Sequence, residues 1–185
     1  MIIDIRRKAF GEKVVLQDLR LEIPVGKVTV IEGPSGRGKT TLIRIISGLD
    51  EDYEGFVKDG PENPIVLFQE DRLVEEISLE ANLLMVSSDK SRVLRLISEL
   101  GLETELKSKV SSFSGGMKRR VAIARALLMD YDALFLDEPF KGLDDALKEK
   151  VASLMIKENN GRTMIVISHD RMEAELLGAT NTIKL

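Results

Sequence analysis

The chain has 185 residues, 43% of them apolar and 31% charged, a mix that fits one globular domain with room for a real core. Its 27 basic and 31 acidic side chains leave a net charge of −4, which argues weakly against a nucleic-acid partner and leaves room for a local basic patch. With no cysteine there is no disulfide framework, thiolate zinc site or cysteine nucleophile, and no apolar run reaches membrane-spanning length.

The N-terminal "MIIDIRRKAF" lacks the apolar core of a signal peptide, and the first thirty residues read as short strands. "IIDI", "KVVL" and "LRLEI" are small apolar stretches, with Leu19, Leu21 and Ile23 alternating with polar neighbours, and "PVG" (24–26) makes a turn. The pattern then changes to buried strands alternating with helices. "VTVI" (28–31), "IVLF" (65–68), "ALFL" (133–136) and "MIVI" (164–167) are unbroken apolar runs that suit a parallel sheet covered on both faces. The windows 82–107 and 117–129 read as helices. In the second, Met117, Val121, Ala124 and Leu128 recur at helical spacing, with Lys118, Arg119 and Arg125 elsewhere on the wheel. One more helix (171–177) and "NTIKL" close the chain.

The residues just past each buried strand carry the chemistry. The first strand runs into "EGPSGRGKTT", the second into Gln69, the third into Asp137–Glu138 and the fourth into Ser168–His169. In an open α/β sheet ligands lie beyond the carboxyl ends of the strands, so these residues describe one site. "GPSGRGKT" (Gly33, Pro34, Ser35, Gly36, Arg37, Gly38, Lys39, Thr40) matches the phosphate-binding loop between a buried strand and the helix "TTLIRIIS", which begins at Thr40 and Thr41 and which Gly48 can end. The glycines let backbone N–H groups approach phosphates, and the helix N-terminus adds its dipole. Lys39 reaches the β- and γ-phosphates, and the Thr40 hydroxyl can bind Mg²⁺. Asp137 would hold the hydrated metal, and Glu138, one residue further out, could polarise an attacking water. Gln69 is a neutral oxygen ligand to the same metal or a positioner of water. His169, the only histidine, lies near the γ-phosphate as the one candidate for imidazole chemistry. Further along, "SSFSGGMKRR" (111–120) has Ser114 as an N-cap and two glycines open to close backbone approach, with a helix aiming its positive end at a phosphate.

With these motifs assembled, the chain resembles the ATP-binding subunit of an ABC transporter over nearly its whole length. The phosphate loop at 33–40, the Q-loop at Gln69, the signature "FSGGM" (113–117), the Walker B strand with Glu138, the D-loop "GLD" (142–144) and the switch His169 stand in the family's order. The resemblance implies a single P-loop NTPase domain spanning 1–185. That fold has a mainly parallel sheet flanked by helices, a small N-terminal antiparallel β region and a short helical subdomain inserted at about 70–125. It implies ATP and Mg²⁺ as ligands, with Phe10 stacking on adenine beside Val15, and two subunits packed head to tail. Ser114, Gly115, Gly116 and Asp144 of one subunit would then close over ATP on the other. Transmembrane permease subunits are the implied partners. They would hold the chain at the cytoplasmic face of the membrane, with the ATPase pairing as a homodimer or with a related subunit.

Phe113 and Met117 replace the commoner Leu and Gln of the signature. "SGGM", "FQEDRL" (68–73) and "DEPF" (137–140) resemble the importers of nitrate, taurine and alkanesulfonates. Within "EDRLVEEISLEANLLM" (70–85), at least one of Leu73, Val74 and Ile77 is expected at the surface, as a permease-docking patch requires. The alternatives are a soluble ABC-type ATPase of DNA repair or translation, and a small-molecule kinase, which has no need of "SGG" or Glu138. A GTPase is disfavoured because no Asn-Lys-x-Asp motif is present.

Overall fold

A computed structural model describes residues 1–185. Two sheets organise it. The larger is parallel and has the order β5-β6-β7-β3-β8, built from β3 (Val28–Glu32), β5 (Pro64–Leu67), β6 (Ala133–Asp137), β7 (Thr163–Ile167) and β8 (Asn181–Lys184). The four apolar runs read from sequence are β3, β5, β6 and β7, side by side in this sheet, and β8 extends it at the β3 edge. Their side chains alternate between two cores: Leu134, Leu136, Met164 and Val166 face one, while Ala133, Phe135, Ile165 and Ile167 face the other.

The second core is closed by α1 (Lys39–Ile46) and by a smaller antiparallel sheet of β1 (Ile2–Phe10), β2 (Lys13–Glu22) and β4 (Glu54–Lys58), in the order β2-β1-β4. "KVVL" and "LRLEI" are one strand rather than two, because the β1–β2 register is disturbed only once, between Lys8 and Ala9. β4 and β8 are strands that the sequence pattern did not announce. In "EGFVK" Val57 packs against the core while its neighbour Phe56 stands exposed on the other face, and "NTIK" has a single buried residue, Ile183, too little for a periodic signal.

The first core is covered by helices. Between β5 and β6 the chain passes through α2 (Leu79–Leu84), α3 (Lys90–Glu99) and α4 (Gly115–Leu128), with short 3₁₀ turns at Glu103–Glu105 and Val110–Ser112. α5 (Asp145–Asn159) and α6 (Arg171–Leu176) follow β6 and β7. The helix expected over 82–107 is therefore broken. Ser78 caps α2 by accepting from the Ala81 N–H, and Asp89 caps α3 by accepting from the Arg92 N–H. Gly101, at φ 65°, follows the end of α3. Capping chemistry overrode the apolar periodicity of the window.

The basic positions of α4 are not all on a solvated face. Arg119 is 2% exposed, a correction to the amphipathic reading of 117–129. The helix is buried almost all round, through Val121, Ala122, Ile123, Ala124, Ala126, Leu127 and Leu128. The apolar run from Val121 to Leu128, interrupted only by Arg125, was the available signal that a cation at its start must be internally partnered.

Candidate active site

Because the strands are parallel, β3, β5, β6 and β7 deliver the residues past their ends to one edge of the sheet. There a cleft of about 400 Å³ is lined by Lys13, Val15, Ser35, Gly36, Gly38, Lys39, Thr40, Thr41, Gln69, Asp137, Glu138, Ile167 and His169. The sequence reading places all of these except Lys13 and Ile167 in the nucleotide site, Thr41 as the start of the helix behind the loop and Val15 through the family resemblance alone.

The loop between β3 and α1 is held open by glycine. Gly33, Gly36 and Gly38 have φ of 149°, 80° and 87°, conformations that a side chain would strain. Gly38 is constrained twice. A Cβ there would sit 2.7 Å from the Leu16 Cδ2 and 2.9 Å from the Val15 Cγ1, so the loop rests directly on β2. Lys39 is 7% exposed and donates to the carbonyls of Gly33 (2.7 Å) and Pro34 (2.9 Å). The ammonium thus lies inside the ring of the loop, where anionic oxygens would compete for its three N–H donors.

The Thr40 hydroxyl donates to the Asp137 Oδ2 at 2.6 Å, tying α1 to the end of β6. Asp137 is 2% exposed and its Oδ1 has no hydrogen-bond partner. Burial pushes this carboxyl above the ordinary aspartate value. The Thr40 hydrogen bond opposes that rise, and the Glu138 charge adds to it. An orphaned buried oxygen beside a hydroxyl is the donor pair that a hard divalent cation takes.

Glu138 adopts φ 48°, a left-handed backbone rare for a residue with a side chain. Its N–H still bonds the Ile167 carbonyl of β7 (3.0 Å), while its Oε1 lies 3.3 Å from the His169 Nε2. His169 is set by its neighbour: the Ser168 hydroxyl donates to Glu173 (2.6 Å) and accepts from the Asp170 N–H (3.0 Å). Lys148 in turn pairs with Glu173 at 3.3 Å.

The other residues named from sequence lie outside the cleft. Phe10 is 54% exposed at the end of β1, with the Lys8 Nζ 4.6 Å from its ring centroid. Arg37 lines a neighbouring groove with Val14, Leu16 and Lys184. Gly33 and Pro34 contribute carbonyls to Lys39 and do not line the cleft wall. Ser114 caps α4 by accepting from the Met117 N–H (3.3 Å), and both it and Gly115 are exposed. A Cβ on Gly116 would stand 2.8 Å from the Gly142 carbonyl, so the start of α4 packs against the turn that precedes α5. Asp144 caps α5 through the Leu147 N–H (2.9 Å).

A family model described as ABC transporter matches residues 16–141. An aliphatic sulfonates import ATP-binding protein, SsuB 2 of Burkholderia lata, is 37% identical over 192 aligned positions, covering 96% of this chain and 70% of that protein. SsuB of Bacillus subtilis is likewise 37% identical, over 95% of this chain and 76% of its own. The solved dimer of the ATP-binding cassette MJ0796, in a post-hydrolysis state bound to ADP and Pi, superposes with a TM-score of 0.82 at 27% identity, covering 100% of this chain and 93% of that one.

Proposed function

The chain belongs to the ATP-hydrolysing, ATP-binding subunits of ABC transporters, and from that premise we propose that Mg²⁺-ATP occupies the 33–40 cleft and that a second ATPase subunit completes the site. The observation that carries this reading is the pairing of two surfaces. Lys39, Thr40, Gln69, Asp137, Glu138 and His169 share one cleft, while Ser114 and Gly115 stand exposed at a helix N-terminus outside it.

Lys39 exchanges its bonds to the Gly33 and Pro34 carbonyls for β- and γ-phosphate oxygens. Thr40, Asp137 and Gln69 would hold the Mg²⁺, which when bound neutralises charge on those phosphates. Glu138 accepts a proton from the attacking water, and His169, 3.3 Å from that carboxylate, orients it toward the γ-phosphate. Phe10 and Val15 supply an apolar platform for the adenine ring, and Ser114–Gly116 of the partner supply a second anion site from the N-terminus of α4. Glu138→Gln tests the base assignment. Turnover should fall by about 10²–10⁴-fold with ATP affinity retained, and wild-type turnover would refute the assignment.

On the helical layer, Val74 (41%), Leu84 (37%) and Met85 (66%) are exposed on and beside α2, whereas Leu73 and Ile77 are half-buried and Leu79 is fully buried. The patch supports docking of a transmembrane permease, which would hold this chain at the cytoplasmic face of the membrane. The SsuB relatives favour import of aliphatic sulfonates. Stimulation of ATPase by a short alkanesulfonate, in vesicles carrying the permease and its binding protein, supports that substrate class. Stimulation by an unrelated solute alone refutes it.

A further inference from the structure

A guanidinium buried in an apolar helix must satisfy five N–H donors with protein atoms, and Arg119 does so across two loops. Its Nε donates to the Pro139 carbonyl at 2.9 Å. Its Nη2 donates to the carbonyls of Asp137 (2.7 Å) and Glu138 (2.9 Å). Its Nη1 donates to the Phe68 carbonyl at 2.6 Å and to the Asp71 carboxylate at 3.1 Å. Three consecutive carbonyls at the end of β6 and two groups flanking Gln69 are therefore clamped by one planar group. Arg125, a turn and a half further along α4, adds bonds to the carbonyls of Asp71 and Arg72.

The clamp matters because of what it grips. Glu138 is held at φ 48°, a conformation costing free energy that the surroundings must supply. Fixing the carbonyls of Asp137, Glu138 and Pro139 fixes the peptide planes on both sides of the Glu138 Cα. That sets the direction in which its carboxylate leaves the backbone, toward His169. The same helix begins at Ser114, on the exposed turn that the proposed dimer uses.

We propose that Arg119 is a positioning residue for hydrolysis, locking the Glu138 backbone and the Gln69 loop to the helix that starts at Ser114. The inference rests on the reading of Glu138 as the base. It implies that a displacement of α4 on dimer closure carries the base and the Gln69 loop together. A lysine cannot replace the clamp, having three donors on a point charge and no planar fork.

The test is steady-state ATP hydrolysis against ATP concentration for wild type, Glu138→Gln, Arg119→Met and Arg119→Lys, with affinity for a fluorescent ATP analogue and thermal melts alongside. For Arg119→Met, kcat is expected to fall by about a hundredfold while KM and analogue affinity stay within about threefold, the signature of an interaction used after binding. Arg119→Lys should recover no more than about a tenth of the wild-type kcat, and it decides the matter if the methionine variant does not fold. Wild-type kcat in either folded Arg119 variant overturns the proposal, as does a loss explained entirely by weaker analogue binding. Wild-type turnover in Glu138→Gln removes the base assignment first, and the positioning role falls with it. Loss in Glu138→Gln with full turnover in Arg119→Met isolates the failure to the clamp.

Discussion

On the outer side of the helical layer, Arg92 and Arg95 of α3 share the Glu158 carboxylate of α5 at 3.2 and 2.8 Å, and Arg92 also caps the Leu127 carbonyl at 2.7 Å. Glu99 adds bonds to Arg95 (3.1 Å) and Lys157 (3.2 Å). In this cluster each carboxylate has two cationic partners. The cleft at the sheet edge is built differently. There the Asp137 Oδ1 has no partner, Lys39 bonds the carbonyls of its own loop, and Glu138 sits in left-handed backbone. Completed charge clusters hold helices together, whereas charge left open under burial is available to a ligand. Arg119 joins the two styles, since its fully used donors hold the very residues whose side chains are left open.

The largest effect expected from breaking the cleft is on nucleotide binding. Lys39→Ala should weaken ATP affinity by about a hundredfold or more, because the buried ammonium proposed to take the phosphate oxygens is lost. Isothermal titration with Mg²⁺-ATP checks it, and unchanged affinity would disconnect the loop from phosphate. Asp137→Asn should have opposite effects on stability and function. Removing a buried charge whose Oδ1 has no hydrogen-bond partner should stabilise the nucleotide-free protein by about 1 kcal/mol, a shift of a few degrees in Tm. The same change should abolish the extra stabilisation that Mg²⁺ adds to ATP, read in melts with and without the metal.

The remote cluster should respond only in stability, and with a definite pH sign. Burial alone would raise the Glu158 carboxyl, but hydrogen bonds from Arg95 and Arg92 hold it below the usual glutamate range. A depressed folded value contributes stability above the unfolded value and loses it as pH falls through the folded one. Glu158→Gln should therefore cost about 1 kcal/mol at neutral pH, with the difference fading below pH of about 4, while kcat stays unchanged. Denaturant titrations at several pH values measure it, and a pH-independent loss would contradict the ion-pair account. Smallest on the isolated chain is the exposed patch. Met85→Ser and Val74→Ser should leave basal ATPase within about twofold, since surface changes of this kind move stability little, and should reduce stimulation by the permease. Full stimulation in the double variant would move the docking site elsewhere.

The cleft was legible in the sequence because its residues follow apolar strands that all point one way: "VTVI" runs into the glycine loop that ends at Lys39, "ALFL" into Asp137–Glu138 and "MIVI" into Ser168–His169. The small N-terminal β region was legible from its short apolar and alternating stretches, though as three strands where the chain forms two, and the four strands of the parallel sheet from unbroken apolar runs. β8 was not, because a lone buried Ile183 beside β3 gains its place from its neighbour rather than from its own pattern. The role of Arg119 was hidden because a helical wheel assigns faces and cannot show that the far face meets two loops instead of water. Its partners are mostly backbone carbonyls, which leave no mark in the side-chain sequence.

The central claim is that the Ser114–Gly116 turn, exposed at Ser114 and Gly115, closes over a nucleotide held by another subunit. The most direct measurement is the molar mass of Glu138→Gln by light scattering, with and without Mg²⁺-ATP. A mass that rises from that of the 20.6 kDa chain to twice that value only with ATP is the predicted result. ATP bound at full occupancy with the mass still monomeric would contradict a site shared between two copies of this chain.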